Sequence, residues 1–578
     1  MENRMTGQRG KNMKRHSGRK EFARGLFLLL ILSAAAVIAS EAASAESVIV
    51  NSKDWRDVYA GLQYAKLNGQ TAYFVKSESH AVSLLNFLNN DEKYVVLNGA
   101  ESFLPDYESL LKGKGLDAEA LPYDNNLNIE LARKLRDEKG IKKYIIVDDS
   151  MGYNAISVAP YAKVSESYVL FANAATIDDI ISFFREERPE SVTIYGHVRR
   201  EVKEALQEFN PEEINEGNRF ANNREIVRRY LKINPINQTL LTNGEFIEDE
   251  LMEGKNPIVF IGRNNIPDET KEFIKEAGFK YAVLIGNNLI PTATYVKRRL
   301  DIAVFVKFAK GLAGTGNPSL QDLDTFPVPR YAIALDIKSV KYNVLTNTLE
   351  VTYQNLLESP AYAKTTITLL DSNKTASDKE AVFLDGFQEK TVAYPLELDE
   401  AEKNNPGIAS AIMLYGEDEG SLEFVLQKNM TVSTLKVLDN SQAEIIDAYY
   451  DVSNAAFIIT IQNTGSTDVF ANAEIIGLMV DGEQKNIAGN KNVRVKPGEE
   501  GQIAVRQRMT ELDLADNPSI KVRVYYGERE EGLIKQKEKE FPLKVKKSNL
   551  LVIIGASAAV AVLVLWLIFG KRRKRKEE

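Results

Sequence analysis

Two stretches of this chain, 97 positions apart, read as copies of one another, and a duplicated chain folds into something that is itself repeated. SVIVNSKDWRDVYAGLQYA (47–65) lies against YIIVDDSMGYNAISVAPYA (144–162) without a gap. At the same offset TAYFV (71–75) meets YVLFA (168–172), YVVLNG (94–99) meets SVTIYG (191–196), and Asn125-Asn126 meets Asn222-Asn223. Each copy alternates apolar strands of four to six residues with helical patterns, such as TIDDIISFFREERP with Ile177, Ile180, Ile181 and Phe184 on one face. That alternation predicts a parallel sheet covered on both faces, a Rossmann-like arrangement. A third, shorter copy follows as QTLLTNG (238–244), NPIVFIGR (256–263), DETKEFIKEAGF and KYAVLIGN (280–287), its first helix cut to about one and a half turns.

The duplication bears on Asp148 and Asp149, which end the strand YIIV and invite reading as a catalytic pair. The first copy has Asn51-Ser52 there and the third has Asn243-Gly244. Carboxylates are not common to the copies, whereas short polar residues that cap a strand-to-helix turn are. They are read as turn residues.

From about Tyr331 the hydrophobic pattern changes to alternation with period two, the mark of half-buried strands. LTNTLEVTYQN (345–355) recurs 108 residues later as SNAAFIITIQN (453–463), with Tyr342 on Tyr450 and Thr352 on Thr460. Two β-sandwiches of immunoglobulin-like size are expected. The predicted organisation is a signal peptide (1–45), α/β copies at 46–140, 141–235 and 236–310, a Gly/Pro-rich connector (311–330), and sandwiches at 331–435 and 436–547. A transmembrane helix (548–570) and a cytoplasmic basic tail (571–578) complete it. GLAGTG (311–316) lacks the Lys-Ser/Thr of a phosphate loop and is read as linker.

The two ends carry the localisation. A basic start is followed by LFLLLILSAAAVIA (26–39) and an Ala43-Ser44-Ala45 cleavage pattern, the order of parts in a signal peptide. LLVIIGASAAVAVLVLWLIF (550–569) is 20 residues without a charge, enough to cross a bilayer, and KRRKRK follows it. The basic cluster places that side in the cytoplasm, so a single-pass type I membrane protein with most of its mass outside is expected. Three N-x-S/T sequons, at Asn237, Asn373 and Asn429, fit an exported glycoprotein.

Composition excludes several chemistries. The chain has no cysteine and only three histidines, His16, His80 and His197, so thiolate sites, disulfides and histidine-rich metal centres are ruled out. No cofactor or metal is expected. The net charge of −8 includes basic ends of +6 (1–24) and +4 (571–578), leaving −18 between them. Such a surface repels nucleic acid, and any anionic partner requires a local basic patch.

The first helices DVYAGLQYA and NAISVAPYA, the glycine-ended strands YVVLNG, SVTIYG and AVLIG, and the turn EGNRFANN (216–223) together resemble the cell wall-binding repeat 2 family over residues 46–300. The resemblance implies three tandem α/β repeats packed as one surface module that faces a glycan or a neighbouring surface protein, with Arg219 at the arginine of the family's turn. The sandwich half, with KPGEEGQIAV (496–505), is similar to the adhesion-type Ig-like repeats of prokaryotic, especially archaeal, surface proteins.

Basic residues collect in the second and third copies, and Arg199, Arg200, Arg219, Arg224 and Arg228 are the candidate ligand-binding residues, with Arg229 and Lys297-Arg298-Arg299 nearby. Arginine forks suit carboxylate or phosphate groups on a glycan, whereas glutamates nearby in the sequence would make the same residues solvated helix faces. The expected protein is a non-enzymatic, membrane-anchored surface protein that binds envelope polysaccharide or a surface partner from the top of a sandwich stalk. The alternatives are a structural surface-layer subunit and an extracellular carboxylate-dependent hydrolase.

Overall fold

The computed structural model describes residues 46–122, 126–286, 289–300, 302–307 and 324–546. The expected signal peptide, transmembrane segment, basic tail and GLAGTG stretch lie outside them. No described helix is long and apolar enough to cross a membrane.

The three α/β copies share one strand order. In the first, β1 (Glu46–Asn51), α1 (Trp55–Asn68), β2 (Thr71–Phe74), α2 (Glu78–Leu84), β3 (Lys93–Asn98), α3 (Tyr107–Gly113), β4 (Asp117–Ala120) and α4 (Leu127–Lys139) follow in turn, and the sheet runs β2-β1-β3-β4. The second has β5 (Lys143–Asp148), α5 (Tyr153–Val164), β6 (Ser167–Ala172), α6 (Ile177–Glu187), β7 (Ser191–Tyr195), α7 (Arg200–Leu206), β8 (Glu212–Ile214) and α8 (Arg219–Ile233), ordered β6-β5-β7-β8. The third has β9 (Gln238–Thr242), the short β10 (Phe246–Ile247), α9 (Asp249–Met252), β11 (Ile258–Phe260), α10 (Asp268–Glu276), β12 (Tyr281–Ile285), α11 (Ile290–Arg299) and β13 (Ala303–Lys307), ordered β11-β9-β12-β13. Every pairing in these three sheets is parallel. All six residues of β6 are buried, as a strand under helices on both faces requires. The reduced first helix of the third copy is the four-residue α9.

The sequence alignment needs two corrections. The offset of 97 holds for the first two strands, since Ser47 faces Thr71 as Tyr144 faces Tyr168. At the third strand it becomes 98, because Ser47 faces Tyr94 and Tyr144 faces Val192. The second copy spends one more residue before its third strand. The match of Asn125-Asn126 to Asn222-Asn223 is also shifted: Asn126 caps α4 and Asn218 caps α8, each accepting from backbone N–H groups of the first turn.

Two compact units divide the chain, and the division cuts through the first copy. One unit holds β1–β4 with α2 and α3, around a core of Ile49, Tyr94, Val96, Tyr107 and Leu111. Asn51, at the end of β1, donates to Asn98 Oδ1 (2.8 Å) and to the Leu104 carbonyl (2.7 Å), so it fixes a turn. The other unit holds α1, α4 and everything from the second copy onward.

Inside that larger unit, carboxamides tie one element to the next. β6 lies at a sheet edge, where backbone groups lack strand partners. Gln63 of α1 donates to Ser167 O and accepts from Val169 N (3.0 Å). Asn128 of α4 continues the row, donating to Val169 O (3.0 Å) and accepting from Phe171 N (3.1 Å). The third copy repeats the device: Asn223 of α8 donates to Ile258 O (3.0 Å) and accepts from Phe260 N (2.8 Å) on edge strand β11. A primary amide offers the same donor and acceptor as a peptide group, so each side chain substitutes for a missing strand.

After the short β14 (Phe326–Pro327), which pairs with β10, the first sandwich comprises β15 (Leu335–Asn343), β16 (Thr348–Asn355), β17 (Ala361–Leu369), β18 (Thr375–Ser377), β19 (Val382–Leu384), β20 (Glu389–Pro395), α12 (Glu400–Asn404), β21 (Ile408–Gly416), β22 (Phe424–Thr431) and β23 (Ser433–Leu435). The second comprises β24 (Ala443–Asp451), β25 (Ala456–Asn463), β26 (Val469–Val480), β27 (Glu483–Ala488), β28 (Val493–Val495), β29 (Glu500–Arg506), α13 (Glu511–Asp516), β30 (Ser519–Gly527), β31 (Lys535–Pro542) and β32 (Val545–Lys546). Sheets β20-β16-β15-β23 and β18-β17-β21-β22 correspond to β29-β25-β24-β32 and β27-β26-β30-β31. Even the β-bulge repeats at the offset read from the sequence, between Ile337 and Ser339 and again between Ile445 and Asp447. Each pair of sheets encloses its own apolar core.

Candidate functional site

The five candidate arginines lie on the second copy, and the sandwiches supply carboxylates to two of them. Arg219 opens α8 just after its cap Asn218, whose Oδ1 accepts from Ala221 N (2.9 Å). That position aims the side chain past the helix start, against the rings of Tyr153 (5.1 Å) and Phe220 (4.8 Å). Its guanidinium meets Glu417 (2.9 Å) and hydrogen-bonds Glu423, both carried by the β21–β22 connection of the first sandwich. The Arg219 side chain is 8% exposed and that of Glu423 4%.

Electrostatics there are unbalanced. Burial disfavours each carboxylate's charge, and one guanidinium attracts two mutually repelling carboxylates. Burial pushes Glu423 up to about 7 despite Arg219, and Glu417 rises for the same reason. Arg219 is held above its ordinary value because Glu423 and Glu417 outweigh the burial that opposes its charge.

Arg200 is engaged with the second sandwich. Its backbone N–H donates to Asp481 (2.9 Å), and its guanidinium reaches Asp516 (2.7 Å) and Asp513 (3.2 Å). His197 stands 3.1 Å from Glu483 and 3.7 Å from Asp481. Arg224 pairs with Glu269 on α10. Arg228 lies over the Phe273 ring with Glu225 3.7 Å away, and Arg229 bridges Glu225 and Glu212. Arg199 is exposed, with no ion pair among the described residues, and so are Lys297, Arg298 and Arg299 in the last turn of α11.

Arg219 and Arg224 therefore do not share a groove: one is sealed against the first sandwich and the other is paired on α10. The deciding partners are far off in the chain: Glu423 is 204 residues from Arg219 and Asp513 is 313 from Arg200. Third-copy residues join the same seam, with Asn265 donating to Leu422 O (2.6 Å) and Asn264 exchanging hydrogen bonds with Val425. The second copy therefore contacts both sandwiches. Long-range ion pairs draw the sandwiches against the second copy.

Asp148 and Asp149 are turn residues here. Asp148 accepts from Ser150 N (2.8 Å), while Asp149 receives Arg56 (2.6 Å) and Asn173 (2.7 Å). The glycine closing SVTIYG is obligatory, since Gly196 has φ +75° and a Cβ would sit 2.7 Å from Asn154. Among the described residues no cluster of His, Asp and Glu is arranged to hold a metal ion. Asn237, Asn373 and Asn429 are all exposed.

No known protein family matches the chain, and no curated protein does. Among solved structures, Cwp8 from Clostridium difficile aligns at 16% identity with a TM-score of 0.35, covering 45% of this chain and 48% of that one. Cwp6 from Clostridium difficile aligns at 12% with a TM-score of 0.33, over 42% and 40%. The YadV chaperone aligns at 12% with a TM-score of 0.14, over 37% of this chain and the whole of that one. The alignments span less than half of either Clostridium difficile protein, and likeness at these scores decides neither fold nor function.

Proposed function

We propose that this chain is a non-enzymatic cell-surface protein whose tandem α/β copies bind an envelope polysaccharide or a surface-protein partner. The observation that carries the reading is the contrast among its cations. Arg200, Arg219 and Arg224 are consumed by internal carboxylates, whereas Lys297, Arg298 and Arg299 form an exposed run on α11 of an otherwise acidic protein. A solvated cluster of that kind attracts carboxylate- or phosphate-bearing polymer over a Debye length of about 10 Å at 0.1 M salt. Arg199 and the half-exposed Arg228 are the members of the original candidate set with side chains available to such a ligand. Membrane anchorage through residues 548–570 and glycosylation at the three exposed asparagines belong to the same proposal.

The test is retention of the full chain on purified envelope polysaccharide at low salt. Retention that disappears when Lys297, Arg298 and Arg299 are all changed to glutamate supports the reading. Undiminished retention by that variant, or none by the wild type, overturns it.

A further inference from the structure

The cluster around Arg219 holds one positive and two negative side chains, Arg219 and Glu423 buried and Glu417 15% exposed, at a seam between separate folded modules. A buried group of that composition carries an excess negative charge unless a proton joins it. Its geometry is incomplete for three ionised groups: Glu417 Oε2 is buried without a hydrogen-bond partner, and Arg219 Nε, though 2.9 Å from Glu417, is misaligned for a hydrogen bond. We propose that Arg219, Glu417 and Glu423 act as a proton-operated latch, which holds the second α/β copy on the first sandwich in mild acid and slackens it as the pH rises to neutrality.

The groups facing the latch set its sign. From α5 comes Tyr153, and from the segment before β15 comes Tyr331, both neutral phenols whose rings lie 6.2 Å apart. Burial pushes both phenols further up, so neither supplies charge near neutrality. From the β9–β10 connection comes Glu245, already paired with Arg263 (2.7 Å) and Arg330 (3.0 Å). Asp418, next to Glu417, accepts from Asn218 (3.1 Å), and Glu483 of the second sandwich adds negative potential beside His197. The carboxylates among these neighbours repel further ionisation of the latch. The two cations beyond Arg219 are spent on Glu245.

Consider Glu423 moving from about 7 when latched to the ordinary 4.5 when the seam opens. A group whose pKa is raised in the closed state stabilises it fully below the open-state value and loses that contribution as pH climbs through the closed-state value. Closure is therefore strongest below about pH 4.5, weakens by up to tenfold per pH unit towards 7, and is level above it.

Hydrogen exchange reads this directly, because the seam has its own amides: Asn265 N–H donates to Glu423 O (3.1 Å) and Val425 N–H to Asn264 (2.8 Å). In the full chain, protection of peptides covering 262–266 and 421–426, corrected for intrinsic exchange, should fall by one to two orders of magnitude between pH 5 and 7. In Glu423→Gln, the isostere of the protonated acid, it should stay high and flat. Glu417→Gln, a second isostere should the first fail to fold, should flatten the profile likewise, whereas His197→Gln should keep the slope. Wild-type protection constant within threefold from pH 5 to 8, or a slope that survives both glutamine variants, or one that vanishes in His197→Gln alone, overturns the proposal.

Discussion

Replacing Asn223 with alanine tests the idea that carboxamides complete the sheet edges. The side chain is 1% exposed and makes three hydrogen bonds: to Ile258 O, from Phe260 N, and to Ser157 Oγ. Truncation strands a backbone N–H and a backbone C=O of β11 in a region water does not reach, each costing about 1–3 kcal/mol. The serine hydroxyl keeps a second partner in Tyr195 (2.6 Å) and so adds little. Local destabilisation of about 3–5 kcal/mol is expected, a loss of roughly 10²–10⁴ in protection of the Phe260 amide. Native-state hydrogen exchange at that amide is the measurement, since global unfolding of a chain with several modules is not a two-state quantity. Asn223→Asp distinguishes packing from pairing. It keeps the volume and the acceptor for Phe260 but sets an oxygen against the Ile258 carbonyl, and should be at least as damaging as alanine. Asn128→Ala, which strands Val169 O and Phe171 N, should behave like Asn223→Ala. A change below about 1 kcal/mol in Phe260 protection, or an innocuous Asn223→Asp, would refute the argument.

Three further outcomes follow from the same contacts. Arg219→Met leaves Glu417 and Glu423 without their cation and should destabilise the seam by about 3–5 kcal/mol at pH 8, with relief in acid as the carboxylates take up protons, measurable as lost protection of the Asn265 and Val425 amides at pH 8 against pH 5. Asp149→Ala removes a partly exposed pair with Arg56 and the bond from Asn173, so a loss of about 1 kcal/mol is expected; a loss above 3 kcal/mol would mark Asp149 as more than a turn residue. Expression in a host with N-glycosylation should add glycan mass that falls stepwise when Asn237, Asn373 and Asn429 are changed singly to glutamine, as intact-mass spectrometry would show.

What the sequence determined by itself was what repeats or alternates, apart from a one-residue slip at the third strand of the second copy and the placing of the asparagine caps. Offsets of 97 and 108 residues, together with periods of 3.6 and 2, located parallel α/β sheets ahead of antiparallel sandwiches, down to a bulge that recurs at the second offset. These are properties of neighbouring residues, and the backbone obeys them locally. The turn role of Asp148 was legible for the same reason, since an aspartate ending a strand accepts from the N–H two residues on wherever the rest of the chain goes, whereas the partners of Asp149, Arg56 and Asn173, are distant in sequence. Only the tertiary structure decided the fate of the arginines. Nothing in the helical pattern of α8 separates an arginine facing water from one facing Glu423, because the deciding carboxylate arrives from a module some 200 residues away. The same holds for Asn128 and Asn223, ordinary polar positions on helices until an edge strand is laid beside them. Local pattern fixes which elements form; the pairing of buried charges and amides depends on which elements meet, and that is settled only by the packing of the whole.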